Sequence, residues 1–431
     1  MSDIIRIKRR SKRRSSHPSR HSRAKSLVST SKKFKQRFPR LSRFFMKFGA
    51  LFKKHRFFSV CSIVLIVGAL LTRVFLLFPT FAKDYSDTVG QVLRITLGTV
   101  FSLCPISAGE LFFLAFLVYL PIWFTTLIFA LKRKYALRHI HRKMRRALLA
   151  PVAAICIVLC IFFFTFAPSY YVPTAAKQFG ISESDIYDGD LYATLEYFVS
   201  EINADIKEIE FDEAGFSKSP ISFPVLSTQI NHSFQTTSSF KRICPGTGVP
   251  AKQFLLSPVL TKFGIAGIYT FYTGEANINT AVPDVYLPFN TAHELAHQRG
   301  IASENDADFV AFITCASSTD SYTRYSGHLN ALGTMMREID SALTLAKETD
   351  TKYAASVHKN VKEILSKLDE RAKNELDVAN EFWQANHSPA LTQAASDLND
   401  TYLKAQGQSA GVASYHYLTA LIVNFYTHYL A

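Results

Sequence analysis

The sequence predicts an integral membrane protein in which three transmembrane helices precede a mainly α domain of the α+β class. Three apolar stretches of membrane-spanning length lie within the first 170 residues. The remaining chain, residues 169–431, is polar enough to fold as a soluble domain. A cluster of histidines and acids within that domain then points to a chemical function.

The first 56 residues carry 20 lysines and arginines against one acid, Asp3, whereas the rest of the chain has 29 basic and 33 acidic residues. Residues 1–56 have no apolar period, so we predict a disordered cytoplasmic tail. Such a tail can set orientation and bind anionic lipid. Binding to nucleic-acid phosphates is the alternative, but no aromatic-interleaved motif accompanies the charge, and we predict no specific nucleic-acid partner.

The three predicted spans cover residues 57–78, 111–131 and 148–167. Each has about 20 residues, enough for a hydrocarbon core of ~30 Å, so the lipid bilayer is a predicted partner. The loop 132–147 holds eight lysines and arginines and no acid. The positive-inside rule therefore places this loop and the N-terminus in the cytoplasm. Three crossings make the domain at residues 169–431 extracytoplasmic.

Within that domain, the spacing of Leu191, Leu195, Phe198 and Ile202 predicts an amphipathic helix. Residues 207–290 mix Pro, Gly and β-branched residues and predict a few short strands. We expect an extended segment at the edge of a sheet over residues 276–289, because it contains two prolines. The pattern after residue 303 is helical almost to the end of the chain.

The stretch from His293 to His297 reads HELAH, the HExxH pattern. Positions i and i+4 share one face of a helix, so both imidazoles can bind one Zn²⁺ ion while Glu294 points at the water on that metal. Asn290 or Thr291 is the predicted N-cap, and a left-handed Gly300 would end the helix.

A second helix is predicted from Glu304 to about Ser317, because Ser303 begins a near capping-box pattern. A sharp reversal at Gly300 would fold this helix back beside the first. Glu304 then becomes the predicted third metal ligand, with Asp306 as the alternative. Asp308 would orient a ligand histidine through its second ring nitrogen. A polar helix–turn–helix without metal is the structural alternative.

Residues 272–312, from YTGEANINT to DADFVAF, resemble the core of a bacterial family of membrane proteins with a domain of unknown function. Residues 104–114 and 399–415 are also similar to that family. The resemblance implies three N-terminal spans and an outer zincin-like domain. The acids after HExxH are similar to those of membrane-bound CAAX-type zinc endopeptidases, which supports Glu304 as a ligand and Asp308 as the residue that orients a ligand histidine.

Three further groups of residues are candidates. Tyr415 could bind the oxyanion of a tetrahedral intermediate, or its segment could simply pack as a helix through an apolar face. That face consists of Leu418, Leu421, Ile422 and Phe425. Glu275, Asn277 and Asn279 could line the substrate cleft or serve turn chemistry. A Cys244–Cys315 disulfide is compatible with an oxidising compartment.

These observations predict a membrane-anchored zinc metallopeptidase that acts on a peptide or protein near the outer membrane surface. Glu294 would be the general base and Tyr415 an accessory catalytic residue. Two alternatives stay open: a zinc-dependent envelope amidase or esterase, and a non-catalytic zinc-containing membrane sensor.

Overall fold

The computed structural model describes residues 56–132, 142–183, 186–236, 248–405 and 418–429. The predicted tail up to residue 55 and most of the basic loop lie outside these residues, as do Cys244 and Tyr415. The chain divides into two units between Ile63 and Val64, and every contact described below lies within the second unit.

Helices make up most of the described chain, and a small sheet accompanies them. In chain order the helices are α1 (Arg56–Leu77), α2 (Pro79–Tyr85), α3 (Gln91–Ser102), α4 (Ala108–Lys132), α5 (Arg142–Thr165), α6 (Ala175–Phe179), α7 (Asp188–Asp205), α8 (Phe223–Thr236), α9 (Ser257–Lys262), α10 (Leu287–Gln298), α11 (Glu304–Ala316), α12 (Ser321–Thr349), α13 (Thr351–Ser366), α14 (Glu370–Asn386), α15 (Pro389–Ala405) and α16 (Leu418–Tyr429).

Helices α1, α4 and α5 are long and apolar enough to cross a membrane. The ends of these helices lie within a few residues of the predicted ends, except at the start of α5. The three predicted spans are therefore confirmed in length and composition. Helix α4 continues through Pro121, as membrane helices do when other groups satisfy the freed carbonyl.

The segment between the first two spans is also helical, which its sequence did not predict. Helix α2 runs through one π-helical turn, Ser86–Gly90, into α3. The Arg94 guanidinium in α3 is buried and donates to the Thr165 carbonyl at 2.8 Å, at the end of α5. This segment therefore packs against the end of the third span.

The sheet has three strands in the order β1-β3-β2, with β1 at Lys252–Gln253, β2 at Gly267–Thr270 and β3 at Glu275–Ile278. Strand β3 pairs parallel with β1 and antiparallel with β2. The segment predicted as an extended edge is therefore a buried central strand, and only its first residues are extended. Strand β2 is left as an edge strand.

Buried charges join this sheet to the chain at the ends of the spans. The Lys252 ammonium forms a 2.6 Å ion pair with Glu275 and also donates to the Phe101 and Cys104 carbonyls. The Glu275 carboxylate accepts from the backbone N–H groups of Ala108 and Gly109, in the first turn of α4. An anionic side chain at a helix N-terminus is a stabilising arrangement.

Helices α7, α10, α11, α12 and α16 enclose the main hydrophobic core. The predicted apolar face of α7 is confirmed, since all four of its predicted residues are buried there. Helix α10 lies between the sheet and the other helices, in contact with β2, β3, α8, α11 and α12. Side chains on α10 are therefore fixed from several directions.

Candidate metal centre

Helix α10 carries both histidines of the HExxH motif. It begins at Leu287, earlier than the predicted caps Asn290 and Thr291, which lie inside it. The prediction failed because Pro288 was assigned to an extended edge, whereas it sits in the first helical turn, where its missing N–H costs nothing. The rings of His293 and His297, one turn apart, have centroids 4.7 Å from each other.

The turn after α10 has the predicted left-handed glycine, with a φ of 97° at Gly300. Helix α11 then begins at Glu304, and the Ser303 side chain caps it by accepting from the Asp306 N–H. It ends at Ala316, one residue before the predicted end. The two helices pack side by side, so the first turn of α11 lies beside the last turn of α10.

This packing brings three candidate ligands together. The Nε2 atoms of His293 and His297 lie 3.1 Å and 3.4 Å from the same Glu304 carboxylate oxygen. Each of the three residues offers one ligand atom, and these atoms all lie within 4.8 Å of one another. Asp306 points elsewhere, since its carboxylate accepts from the Ala175 N–H at 3.1 Å. Glu304, and not Asp306, is thus the acid that contacts the Nε2 atoms of both histidines.

The remaining nitrogen of each histidine also faces an acceptor. His293 Nδ1 lies 2.7 Å from the Asp308 carboxylate, and His297 Nδ1 lies 2.6 Å from the Ile301 carbonyl oxygen. Neutral imidazole has only one N–H. Both nitrogens of His293 face carboxylates, so this ring is either protonated or has a cation in place of the proton on Nε2. Two imidazolium ions this close repel each other, whereas one shared metal ion would satisfy both rings.

The charged groups of the cluster shift one another's pKa values towards the ionised forms. Burial opposes protonation of His293, but the Asp308 and Glu304 carboxylates outweigh it and hold the pKa well above its usual value. His297 also has a raised pKa, because Glu304 outweighs burial. The pKa of Glu304 is lowered, since the two imidazoles outweigh the effect of burial. This carboxylate is therefore an anion, as a metal ligand must be.

Glu294 lies on the side of α10 that faces strand β2. Its carboxylate is buried, and its Oε2 atom has no hydrogen-bond partner among the described residues. Burial raises the pKa of Glu294, while the two neighbouring histidines oppose that rise. A buried carboxylate with one free oxygen, beside a set of metal ligands, can exchange a proton with a water molecule there.

Gly267, at the start of β2, makes room for Glu294. A Cβ atom at Gly267 would lie 2.6 Å from Glu294 Cγ and 2.8 Å from Glu294 Oε1. Any other residue at this position would displace the carboxylate. Sequence patterns did not identify Gly267, because the contact joins a strand to a helix 27 positions further on.

The other residues that the sequence suggested for a functional role lie in different parts of the structure. Glu275 is occupied by the contacts at the span ends, and Asn277 and Asn279 are fully buried in and next to β3. Among the described residues, their amide groups bond to neighbouring strands and loops. Cys315 is buried in α11, and its predicted partner lies outside the described residues, as Tyr415 does. The packing predicted for the helix after Tyr415 is confirmed by the buried side chains of Leu418, Leu421, Ile422 and Phe425.

Two residues missed by sequence analysis support the turn between α10 and α11. Arg94 donates to the Arg299 carbonyl at 3.2 Å, and a Cβ atom at Gly300 would lie 2.4 Å from the Arg94 guanidinium. The Phe166 ring, one residue beyond α5, stands edge-on to His297 with a centroid distance of 6.4 Å. The centre is thus in contact with the ends of the span region.

Residues 85–423 match the model of a family described as "Protein of unknown function (DUF3810)". This range includes two of the three spans and the whole candidate metal centre. No curated protein matches the chain, and no solved structure does.

Proposed function

Because the chain belongs to this family, whose description assigns no activity, we propose a function from the site itself: a membrane-anchored, zincin-like zinc metallopeptidase. The convergence of His293, His297 and Glu304 beside the Glu294 carboxylate, whose Oε2 atom has no hydrogen-bond partner among the described residues, carries the proposal. The first three side chains would hold the metal, and the fourth would act on water.

The spacing of the candidate ligands suits zinc. Two ligands of a tetrahedral zinc ion, each ~2.0–2.1 Å from the metal, lie about 3.3 Å apart. The two measured nitrogen–oxygen distances, 3.1 and 3.4 Å, bracket that value. Two histidines and one glutamate form a ligand set typical of catalytic rather than closed structural zinc sites. Asp308 and the Ile301 carbonyl supply the outer contacts that orient ligand histidines.

A zinc ion in this set would supply an open position for water and lower the pKa of that water towards ~7. In this proposal Glu294 would accept the proton of the attacking water through its Oε2 atom, which has no hydrogen-bond partner among the described residues. Its raised pKa strengthens it as a base and lets it return the proton to the leaving amine. Strand β2 and Gly267 hold this carboxylate in place.

The proposal includes the predicted topology. The N-terminus and loop 132–147 would face the cytoplasm, and the domain from residue 169 onwards would be extracytoplasmic, on the evidence of loop charge. A peptide or protein close to the outer membrane surface is then the proposed substrate.

Metal content of the purified full-length chain is the first test. We expect about one zinc per chain by elemental analysis, lost in His293→Ala and kept in His358→Ala, whose histidine is exposed on α13. Absence of bound metal from the wild-type chain in zinc-supplemented buffer would refute the proposal.

The second test separates catalysis from a structural or sensing role. Glu294→Gln should retain its zinc and lose on the order of 10²–10⁴-fold in cleavage of a mixed peptide library. Glu363→Gln, a change to an exposed glutamate, is the matched control. A Glu294→Gln protein with full hydrolytic activity would exclude this mechanism, and a zinc-loaded wild type that cleaves esters or non-peptide amides only would favour the amidase or esterase alternative.

A further inference from the structure

Helix α3, between the first two spans, has one face buried against the domain. Gln91, Arg94 and Gly98 are buried on this face. A Cβ atom at Gly98 would lie 2.9 Å from the Gly274 carbonyl oxygen, so the backbone of α3 lies directly on the turn between β2 and β3. The helix is held in one orientation by this contact and by the hydrogen bonds of Arg94.

The opposite face of α3 is exposed and apolar. Val92, Val100 and the following Leu103 are 64%, 56% and 85% exposed. Arg94 is the one charged residue between Thr88 and Gly109 in the sequence, and it is on the buried face. A helix that meets water normally places charged or polar side chains on its outer face. This face instead offers valine, leucine and threonine.

A second exposed apolar group lies beside the start of the second span. Leu255, Leu256 and Val259 are substantially exposed, at the beginning of α9. The backbone N–H groups of Leu255 and Leu256 each donate to the Glu110 carboxylate at 2.8 Å. Because Glu110 is in the first turn of α4, this leucine pair is fixed at the mouth of that span.

The ends of the spans meet the same region. The Thr165 carbonyl at the end of α5 binds Arg94 of α3. The Phe75 ring, near the end of α1, lies 5.1 Å from the Tyr85 ring, at the end of α2. The segment that contains α3 therefore lies at the ends of the spans.

We propose that these two exposed apolar groups form one interfacial surface, which lies in the bilayer at the boundary between headgroups and acyl chains. The surface consists of Val92, Val100, Leu103, Leu255, Leu256 and Val259. Amphipathic helices bind there when one face is apolar. The occupant is lipid because this surface adjoins spans α4 and α5, which themselves carry exposed apolar side chains. Arg94 then links a membrane-embedded helix to the turn of the metal centre.

This placement gives the proposed enzyme a substrate class, an extension that rests on the proposed function. The metal centre would lie against the membrane surface, because Phe166 and Arg94 contact it from the span ends. Peptide bonds a few residues from a transmembrane segment or a lipid anchor would reach it while their chains stay in the bilayer.

Photolabelling tests the location without any need for activity. The full chain is reconstituted in nanodiscs of phosphatidylcholine that contain a phospholipid with a diazirine near the top of its acyl chain. After illumination, labelled peptides are mapped by mass spectrometry. We expect label on residues 92–103 and 255–259 at a level comparable with α4, and several-fold above α15, whose Leu391 and Leu398 are also exposed.

Two variants sharpen this test. Leu103→Glu should reduce label on its own segment at least twofold, whereas Leu398→Glu should leave the pattern unchanged. The proposal would be overturned if α4 were labelled but residues 92–103 carried no more label than α15. That result is expected if water, a second copy of the chain or another protein covers the surface. Glu294→Gln should label as wild type, so the location is tested independently of the chemistry.

Discussion

The Arg94 guanidinium lies 3.2 Å from the Arg299 carbonyl oxygen, across 205 positions of sequence. The same side chain donates to the Ser86 and Thr165 carbonyls and to the Gln91 side chain. One buried arginine thus holds together the segment after the first span, the end of the third span and the turn between the two helices of the candidate centre.

Arg94→Ala should destabilise the chain and loosen the metal centre. Removal of the guanidinium leaves several buried carbonyls without a donor, at a cost of about 3 kcal/mol. We expect the unfolding temperature in detergent to fall by roughly 6–12 °C, with weaker zinc binding. Arg371→Ala, which removes an exposed partner of Asp369, should shift it by about 1 °C or less. Equal effects of the two substitutions would contradict the role given to Arg94.

The two neighbouring aspartates of α11 offer a matched pair. Asp308→Asn replaces the carboxylate at His293 Nδ1 and should weaken zinc affinity by about 10–100-fold. Asp306→Asn should leave zinc affinity unchanged, because its side chain caps the backbone at Ala175. Competition with a chromophoric chelator measures both affinities. Loss of zinc in the Asp306 variant alone would show that the ligand set was assigned wrongly.

Gly267→Ala should separate metal binding from hydrolysis. The added methyl group would lie 2.6 Å from Glu294 Cγ, closer than two carbon atoms can pack, and would move the carboxylate. Because a misplacement of about 1 Å in a catalytic group can cost on the order of 10²-fold in rate, peptide cleavage should fall by that factor with zinc content unchanged. Gly189→Ala is the control, since a Cβ atom there meets nothing within 4 Å. Full activity of Gly267→Ala would show that Glu294 does not depend on this contact.

His328 should make the fold sensitive to mild acid. Burial among aromatic rings lowers the pKa of His328 to about 4. The unfolded chain, with an ordinary value near 6.5, binds the proton more readily, so stability is lost as pH falls from 6.5 to 4. The loss is about 2 kcal/mol between pH 7.5 and 5.

Thermal unfolding at these two pH values, in chelator to remove metal effects, measures that loss. The pH dependence should decrease by this amount in His328→Leu. His358→Leu, at an exposed position, is the control for the removal of a histidine. An unchanged dependence in His328→Leu would mean that another group titrates in this window.

Local patterns in the sequence predicted much of the candidate centre. The i, i+4 histidines, the left-handed Gly300 and the cap at Ser303 depend on neighbours within one or two helical turns, and the structure places all of them as expected. The start of α10 was predicted wrongly because Pro288 suits both a strand edge and a first helical turn. Only the packing of α10 decides between them.

Contacts between distant segments could not be predicted from these patterns. Gly267 looks like any loop glycine until Glu294 lies against it, and Arg94 looks like an isolated charge in an apolar stretch. Strand order is a further example, since β3 became central only through its pairing with β1. Each of these depends on which segments meet in space, and residue type alone does not encode that.

The ion pair of Lys252 and Glu275 has a consequence for biogenesis. Both side chains find their partners on backbone groups at the ends of α3 and α4, and Arg94 reaches the metal-centre turn from the same region. A newly made chain whose spans have not entered the membrane would leave this ion pair without its backbone partners and the turn without Arg94. Assembly of the candidate metal centre would thus depend on insertion of the spans.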